Sequence, residues 1–416
     1  MGVRQKKVAG RNILNHLRMN ANRKIKIAHV ITSVGYGGAG EDTLLTIEGS
    51  NKTKYHIDLV IGQEPRKNAL KRIEKNNISV IYVHPFHTRY HFIYDLILVL
   101  NLFFLFKKNE YDIVHTHMTK AGILGRIAAR IARIPVLIHG IHGNSLELSD
   151  NKLIHIIKIF LENKIGKFTD AYISVSEKVS EKYLEYKVGE TEKYFTVKSG
   201  IKLDQFLKVK KEINIEEKRI RLGIKRGDFV IGNAGRLEES KGHKFLFQAT
   251  KKIIQLRKNQ SIKLLLIGEG KYKEKLIEIV KELGIGKNVI FTGYKKNIAE
   301  LMALMDVFVL TSLREGLPKV LVEAAATGIP SAAFDVDGVS EIIKDGYNGF
   351  LVQPKNIEDL TDKIIQYIDD KELMISHGRK GKEFVVDKWS IEEMIQKTEK
   401  IYDDLVERKI SNIVLE

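Results

Sequence analysis

The chain has no cysteine, six prolines and one tryptophan among its 416 residues. Without cysteine it can form no disulfide bond, thiolate nucleophile or zinc–cysteine site, and its redox compartment is left undecided. Hydrophobic residues make up 44% of the chain and charged residues 29%. This composition is typical of a soluble globular protein rather than a disordered or membrane-spanning one. At this length we expect two domains, each with its own core.

Acidic residues are missing from the N-terminal segment Met1 to Lys26, which carries eight basic ones. The segment also lacks the apolar core of a secretory signal, so we predict a cytoplasmic protein with a basic extension at residues 1–23. Long hydrophobic runs are scarce. The most apolar one, Phe92 to Phe106, is interrupted by Asp95 and Asn101 and is shorter than the roughly 20 residues that span a bilayer.

The net charge of +17 would suit nucleic acid, acidic lipid headgroups or phosphorylated ligands, and it does not choose among them. Lys107 and Lys108 directly follow the apolar run. Together with the basic N-terminal region, this pattern is compatible with a helix at an anionic membrane surface, on the inner face of the cell membrane. Doubly wound sheets also need apolar helices, and we favour burial for most of this one.

Short apolar, β-branched runs alternate with amphipathic stretches along the chain. The runs are Ile25–Ile31, His56–Ile61, Ser79–Val83, Ile113–His115, Val136–His139, Ala171–Val175 and Phe195–Val197, and then Phe229–Asn233, Ile262–Gly268, Val289–Thr292, Val307–Thr311 and Pro330–Phe334. Near-continuous apolar strands separated by helices predict an α/β protein with two parallel, doubly wound, Rossmann-like sheets. Ligands of such sheets bind beyond the carboxyl ends of the strands, so we expect two domains facing across a ligand-binding cleft.

The domain boundaries follow from the polar stretch between the two series of strands. We predict an N-terminal domain at 24–207 and a C-terminal domain at 208–386, with a linker between about Asp204 and Glu217. Residues 387–416 are predicted to form an amphipathic helix that can pack back on the N-terminal domain or on the other one.

Two glutamates, Glu315 and Glu323, are held eight positions apart just after the run that ends at Thr311. Pro318 between them suits the first position of a helix, whose amides and positive dipole end can hold a diphosphate. Glu315 would lie at the helix mouth and Glu323 about one turn in, where a carboxylate can accept hydrogen bonds from ribose hydroxyls. Each glutamate taken alone is more often an exposed helix residue.

Two cations, Arg236 and Lys241, lie on the predicted strand-to-helix loop that opens the second domain. Arginine can bind phosphate oxygens with two hydrogen bonds, and lysine supplies a point charge. Together they would neutralise a leaving diphosphate without a divalent metal. The alternative interpretation is a solvated basic loop.

A glycine-rich loop, Gly35-Tyr36-Gly37-Gly38-Ala39-Gly40, follows the first predicted strand. Gly37 and Gly38 have no Cβ, so their amides can approach an oxyanion closely. A mobile glycine turn would have the same sequence.

Histidines cluster after two predicted strands of the first domain. His142 lies where it could donate to a sugar hydroxyl, orient an acceptor or share a proton, and His139 is the competing candidate. His115 and His117 have metal-ligand spacing but no nearby acid or cysteine in the sequence, so we assign no metal to them.

These motifs resemble those of glycosyltransferase family four, retaining enzymes of the GT-B fold that include bacterial polysaccharide and glycolipid glycosyltransferases. The resemblance extends over nearly the whole chain. It is carried by the glycine-rich loop, His115-Thr116-His117, His142-Gly143, Gly235-Arg236-Leu237, Lys241-Gly242, Val309 to Glu323, Gly338 to Ile343 and Asp345 to Gly349.

The resemblance implies a role for each candidate residue. It assigns Glu315 to the donor-sugar hydroxyls, Glu323 to the ribose, and Arg236 with Lys241 to the diphosphate. It places His142 near the reacting sugar and Tyr294 near the base. The remaining donor contacts are assigned to Gly37, Gly38, Gly316, Leu317, Pro318, Lys319 and Val320.

The resemblance also implies an activity: transfer of a hexose or N-acetylhexosamine from a nucleoside-diphosphate sugar, with UDP favoured, to a sugar or lipid-linked acceptor. In the front-face displacement that it implies, the departing diphosphate takes the acceptor proton and no metal or other cofactor is expected. One alternative is a GT-B nucleotide-sugar epimerase, which would need an acid/base pair for proton transfer. The other is a basic nucleic-acid-binding protein, but its expected interleaving of aromatic and basic residues is missing, so no nucleic acid partner is expected.

Overall fold

The computed structural model describes residues 23–35, 37–86, 91–143, 146, 152–386 and 388–415. Tyr36 and nearly all of the predicted basic extension lie outside the described residues. The chain divides into two compact units. The first combines the chain up to Gly200 with the C-terminal helix from Ile391, and the second is Ile201–Ser390.

The predicted linker region, from about Asp204 to Glu217, is mostly helical. The helix Asp204–Glu212 buries Phe206 and Val209, so the chain already belongs to the second unit there. The units consequently divide at Gly200 and Ile201, before the predicted boundary.

Strands and helices alternate throughout both units. The first unit contains β1 (Ile25–Ile31), α1 (Gly37–Gly49), β2 (Tyr55–Ile61), α2 (Lys67–Lys75), β3 (Ser79–Tyr82), α3 (Phe92–Asn109), β4 (Ile113–His117), α4 (Thr119–Ala132), β5 (Val136–Ile141), α5 (Lys152–Gly166), β6 (Ala171–Ser174), α6 (Glu177–Glu185) and β7 (Tyr194–Thr196). The second contains α7 (Asp204–Glu212), α8 (Ile215–Arg221), β8 (Phe229–Ala234), α9 (His243–Leu256), β9 (Ile262–Ile267), α10 (Lys273–Glu282), β10 (Val289–Gly293), α11 (Ile298–Met302), β11 (Val307–Leu310), α12 (Lys319–Ala326), β12 (Ser331–Phe334), α13 (Val339–Ile342), β13 (Gly349–Val352), α14 (Ile357–Asp369) and α15 (Lys371–Val386). The last helix, α16 (Ile391–Leu415), returns to the first unit.

Each unit has one parallel sheet, with the strand order β3-β2-β1-β4-β5-β6-β7 in the first and β10-β9-β8-β11-β12-β13 in the second. The predicted α/β class with two doubly wound sheets is thus confirmed. All twelve predicted strands form, and the additional strand is β13. In each sheet the chain reverses its direction of strand addition between two neighbours, β1 and β4 in the first and β8 and β11 in the second. Ligands of doubly wound sheets bind beyond the carboxyl ends of strands at such a switch point.

Side chains alternate between the two faces of the first sheet, and each face has a different cover. Ile27, Ile113 and Val136 pack with Met394 and other apolar residues of α16. The residue that follows each of these three along its strand points to the opposite face. There it belongs to a second core, to which α3 and α4 also contribute residues. Both faces of this sheet are therefore covered, as parallel strands require.

Helix α3 corrects one prediction. Only Leu98, Leu102 and Phe106 are buried, so the preference for burial of most of the helix is wrong. Its outward side exposes Phe92, Ile93, Tyr94, Leu96, Ile97, Leu100 and Phe104, which we call the α3 apolar face. The helix is apolar all round, so packing one side against the sheet leaves a second apolar side uncovered among the described residues. None of the described helices has both the length and the apolar character needed to cross a bilayer.

Candidate functional site

Lys241 and Glu315 meet at the switch point of the second sheet. Lys241 lies in the loop after β8 and Glu315 in the loop after the neighbouring strand β11. The Lys241 Nζ lies 2.6 Å from Glu315 Oε1, and both side chains are largely buried, with 20% and 10% of their surface exposed. The structure thus brings together two residues that the sequence analysis selected separately.

Glycine and backbone hydrogen bonds hold these two loops against each other. Gly242 has φ +61°, and a Cβ there would lie 2.0 Å from the carbonyl oxygen of Thr311. The amide of Leu313 donates to the carbonyl of Ser240 at 2.8 Å. A side chain at position 242 would therefore separate the loop of Lys241 from the end of β11.

The loop of Glu315 is also fixed by Asp337, a residue that the sequence analysis did not select. The Glu315 amide donates to Asp337 Oδ2 at 2.6 Å, and Asp337 is buried with φ +45°. The Gly316 carbonyl accepts from the Gly338 amide at 3.1 Å. An acid just before the Gly338 run was the available signal, but its partner 22 residues upstream is a product of the fold.

Helix α12 begins at Lys319 with Pro318 as its cap, close to the predicted start. Gly316 and Leu317 form the turn before it, Val320 lies in its first turn, and Glu323 is half-buried further along the helix. An α-helix leaves its first amides without intrahelical acceptors. This turn therefore presents donors near the carboxyl end of β11.

Arg236 and Tyr294 are more exposed than the other candidates of the second unit. Arg236 follows β8, is 60% exposed and pairs with Glu238 through a 2.9 Å contact between Nη1 and Oε1. Tyr294 follows β10 and is 57% exposed. Both lie after strand ends, but within the described part of the chain neither forms a hydrogen bond or ion pair with Lys241 or Glu315.

His243, at the start of α9, adds a buried titratable group next to Lys241. Burial, and after it the positive charge of Lys241, lower its pKa to about 4. The histidine is therefore neutral at pH 7 in the folded protein.

A chain of buried histidines lies near the switch point of the first sheet. His29 on β1 is the register partner of His115 on β4, and His117 lies two residues on, so all three side chains point to the same face. His29 Nδ1 lies 2.9 Å from His117 Nε2, and His117 Nδ1 lies 3.0 Å from His142 Nε2. The α16 residue Tyr402 joins from the covering helix, with its hydroxyl 3.2 Å from His29 Nε2 and 2.8 Å from His115 Nδ1.

Asp42 of α1 ends this series at its more exposed side. His142 Nδ1 lies 3.4 Å from Asp42 Oδ2 without forming a hydrogen bond, and the same oxygen accepts a 2.7 Å hydrogen bond from the Ser199 hydroxyl. We use the name histidine chain for Asp42, His142, His117, His29, Tyr402 and His115. Apart from His142, His115 and His117, its members were missed in the sequence. The available signals were an acid within the apolar part of α1 and a histidine inside an apolar strand.

The two candidate histidines of β5 and its end lie in different surroundings. His139 is on the opposite face of the sheet, where Nδ1 lies 3.0 Å from the Thr116 hydroxyl and the ring packs over Gly122 of α4. Burial and then the charge of Arg126 hold its pKa well below the usual value. His142, by contrast, is partly exposed and belongs to the histidine chain.

His29, His115 and His117 are close enough to hold a metal ion, with ligand atoms within 4.8 Å of one another. Burial holds the pKa of His115 and His117 well below the usual value and lowers that of His29 to about 3, so the rings are neutral. Several of their nitrogens face each other or Tyr402 at hydrogen-bond distance. The expectation that no metal takes part in the reaction stays a prediction.

Gly37 and Gly38 open helix α1 after β1, and both are exposed. Gly37 has φ +71°, a conformation that glycine adopts without strain. Their position beyond the carboxyl end of β1 places them at the switch point of the first sheet.

Known proteins resemble both halves of the chain. Residues 36–205 match the family model described as Glycosyltransferase Family 4, and residues 214–384 match that of Glycosyl transferases group 1. The chain is 28% identical over 391 residues to the Escherichia coli UDP-Gal:alpha-D-GlcNAc-diphosphoundecaprenol alpha-1,3-galactosyltransferase, covering 94% of this chain and 100% of that protein. It is 32% identical to the putative Bacillus subtilis glycosyltransferase EpsD over 66% of this chain and 71% of that protein.

Solved structures share the fold. Anabaena HepE in complex with UDP-glucose superposes with a TM-score of 0.77 at 23% identity, covering 91% of this chain and 100% of that one. WaaG, a glycosyltransferase involved in lipopolysaccharide biosynthesis, has a TM-score of 0.70 at 17% identity, covering 90% and 99%.

Proposed function

The chain belongs to glycosyltransferase family 4, and from that membership we propose that it transfers a hexose or N-acetylhexosamine from a UDP-sugar to a sugar or lipid-linked acceptor, with retention of configuration. The product would serve cell-surface polysaccharide or glycolipid synthesis. The E. coli relative that covers nearly the whole chain is named for a UDP-galactose donor and a diphosphoundecaprenol-linked acceptor, which supports this choice of substrates.

The observation that carries the proposal is the largely buried Lys241–Glu315 pair at the switch point of the second sheet. A lysine and a glutamate that neutralise each other without ligand can separate when a donor enters. Lys241 then binds the diphosphate, and Glu315 accepts hydrogen bonds from the sugar hydroxyls. Arg236, which is exposed and pairs with Glu238, adds a second cation for the phosphates.

The proposed reaction is a front-face displacement. The bond between the anomeric carbon and the diphosphate oxygen breaks, and the acceptor oxygen bonds to that carbon from the same side. The acceptor proton passes to the departing diphosphate. Lys241 and the amides at the start of α12 stabilise the negative charge that develops on the diphosphate, so no divalent metal is needed. His142 orients the reacting sugar or the acceptor.

Calorimetric titration with the diphosphates of uridine, guanosine and adenosine tests the donor site. We expect selective binding of UDP, weakened in Lys241→Ala and in Glu323→Ala. Glu358→Ala is a matched control, because Glu358 pairs with Lys252 on the exposed surface of the same unit. If none of the three nucleotides binds, the proposal is contradicted.

Product analysis tests the reaction. We expect UDP-galactose or UDP-N-acetylglucosamine with a polyprenyl-diphosphate-linked sugar to give a new α-glycosidic bond, detected by NMR, with the same rate in the presence of EDTA. An epimerised nucleotide sugar formed without acceptor would instead support the epimerase alternative. A β-linked product would contradict retention, and loss of the rate in EDTA would contradict the metal-independent mechanism.

We also propose that the protein works at a membrane surface, through the α3 apolar face. Phe92 is 86% exposed, Phe104 64%, Ile93 59% and Leu96 54%. These aliphatic and aromatic side chains lie together on one side of one helix, whereas the exposed apolar residues of ordinary protein surfaces are scattered singly. Lys107 and Lys108 in the last turn of the helix are exposed and can meet anionic headgroups.

A further inference from the structure

The histidine chain contains six polar side chains from α1, β1, β4, α16 and the residue after β5. Four hydrogen-bond contacts of 2.8–3.2 Å join its four histidines and Tyr402, and His142 Nδ1 at one end lies 3.4 Å from Asp42. Five of its members, Asp42, His29, His115, His117 and Tyr402, are buried. A buried polar series of this kind is stable only if each donor meets an acceptor. The positions of the protons therefore follow from the group at one end.

Asp42 fixes that end. An ionised carboxylate offers only acceptors, and Asp42 Oδ2 already accepts from Ser199. His142 Nδ1 faces this carboxylate at 3.4 Å and has no hydrogen-bond partner among the described residues, so it is the negative charge of Asp42 that favours the proton on this nitrogen. In a neutral imidazole the other nitrogen, Nε2, is then an acceptor.

The same rule passes along the chain. Because His142 Nε2 is an acceptor, His117 Nδ1 donates to it and His117 Nε2 accepts from His29 Nδ1. His29 Nε2 then needs a donor, which only the Tyr402 hydroxyl provides among the described residues. The Tyr402 oxygen accepts in turn from His115 Nδ1. Each of the four histidines is therefore in the Nδ1–H tautomer, and every hydrogen bond of the histidine chain is donated in the same direction, toward Asp42.

His115, at the other end of the histidine chain, lies beside the same cavity as His142 and Asp42. His115 Nε2, which the chain leaves as an acceptor, has no hydrogen-bond partner among the described residues. It lines a cavity of ≈ 30 Å³ together with His117, His142, Asp42 and Ser199. A space of this size holds one water molecule or one hydroxyl group. Gly140 leaves room for this arrangement, because a Cβ there would lie 2.7 Å from His117 Nδ1.

We propose that the histidine chain is one directional hydrogen-bond network that holds His142 in the Nδ1–H tautomer and makes Tyr402, on the C-terminal helix, a positioning residue for it. The helix that ends the sequence therefore does more than cover the first sheet. The effect of Tyr402 on transfer rests on the proposed role of His142, whereas the tautomers are properties of the protein alone.

The direct test is nitrogen NMR of the full chain labelled with ¹⁵N-histidine, because the two ring nitrogens of a neutral imidazole have well-separated shifts when only one is protonated. At pH 7.5 we expect Nδ1–H signals for His29, His115, His117 and His142, assigned by single substitutions to glutamine. Nε2–H tautomers at His29 and His117 would overturn the proposal, because the chain would then run in the opposite direction.

Tyr402→Phe removes the donor to His29 and the acceptor of His115 while keeping the ring. We expect the tautomers of both histidines to change and kcat to fall between about threefold and tenfold, the value of one hydrogen bond, with the donor KM within twofold. Tyr55→Phe is the matched control, because the Tyr55 hydroxyl donates to Asp403 of the same helix, outside the chain. It should leave both readouts unchanged.

The outcomes separate the two proposals. Unchanged tautomers in Tyr402→Phe, or an equal change in Tyr55→Phe, would overturn the network. Changed tautomers with an unaltered kcat would overturn the positioning role. If the wild-type protein has the expected tautomers but transfers no sugar, the network stands and the proposed function fails.

Discussion

Lys241 and Glu315 are 74 positions apart in the sequence, and their side chains form a 2.6 Å ion pair with little exposure to solvent. Two loops from neighbouring strands must be held together to form it. The pair provides charges of opposite sign at the point where a doubly wound sheet binds its ligand. Substitution of Lys241 should therefore affect nucleotide binding, and substitution of Glu315 should affect the transfer of the sugar.

Lys241→Met should weaken UDP binding by about 10- to 100-fold, because hydrogen bonds to charged groups contribute about 1.5–3 kcal/mol. Glu315→Gln should change UDP binding little and lower kcat with the UDP-sugar at least tenfold, since its proposed partners are sugar hydroxyls. Calorimetry and steady-state kinetics measure the two effects. Lys252→Met, which removes an exposed lysine paired with Glu358, is the control. A similar loss of UDP affinity in both lysine variants would exclude a specific role for Lys241.

Gly242→Ala should lower both stability and UDP affinity, because the new Cβ would meet the Thr311 carbonyl oxygen at 2.0 Å and displace the loop of Lys241. Gly223→Ala is a matched control, since Gly223 also has a positive φ, +76°, but has no atom within 4 Å of its hypothetical Cβ. In the control, the free energy of unfolding should fall by only about 1 kcal/mol, because alanine is strained at a positive φ, and the UDP affinity should be unchanged. Equal losses in urea unfolding and in calorimetry would show that the contact with Thr311 is unimportant.

The sequence predicted the parallel strands well because buried strands are runs of apolar, β-branched residues, which can be recognised locally. Strand β13 was missed because it is short and directly follows a glycine turn. The pairing of Lys241 with Glu315 was also beyond local patterns, although both residues were selected, since it depends on β8 and β11 being neighbours. His139 and His142 could be told apart only once the strand register placed His139 on the opposite side of the sheet.

Burial of α3 was predicted wrongly for a related reason. An apolar helix in a doubly wound domain is expected to pack against a sheet, and one side of α3 does so. A helix apolar on every side gives no signal of which residues face inwards. The number of uncovered residues, and with it the α3 apolar face, emerges only from the structure.

The variant Phe92→Ser, Leu96→Ser, Phe104→Ser should lose most of its binding to vesicles that contain anionic lipid, because three large exposed side chains of the α3 apolar face no longer enter the interface. Sedimentation or flotation with anionic and neutral vesicles measures this. The control is Leu256→Ser, Ile277→Ser, Ile375→Ser, which removes three exposed apolar residues of the second unit. If both triple variants bind as the wild type does, or if the wild type binds no anionic vesicles, the membrane proposal is wrong.

His243 should make the protein less stable in mild acid. Its pKa is about 4 in the folded protein, against 6.5 for an exposed histidine, because the ring is buried beside Lys241. Between these values the unfolded chain binds the extra proton, so stability rises with pH: the contribution is fully present above pH 6.5 and is lost as the pH falls through 4. From pH 7 to pH 5 this one group should cost about 2 kcal/mol in the free energy of unfolding. Urea unfolding of the wild type and of His243→Leu at the two pH values measures the difference. The variant should lose less stability than the wild type by about that amount, and an equal loss in the two proteins would show that His243 is not held neutral in the folded state.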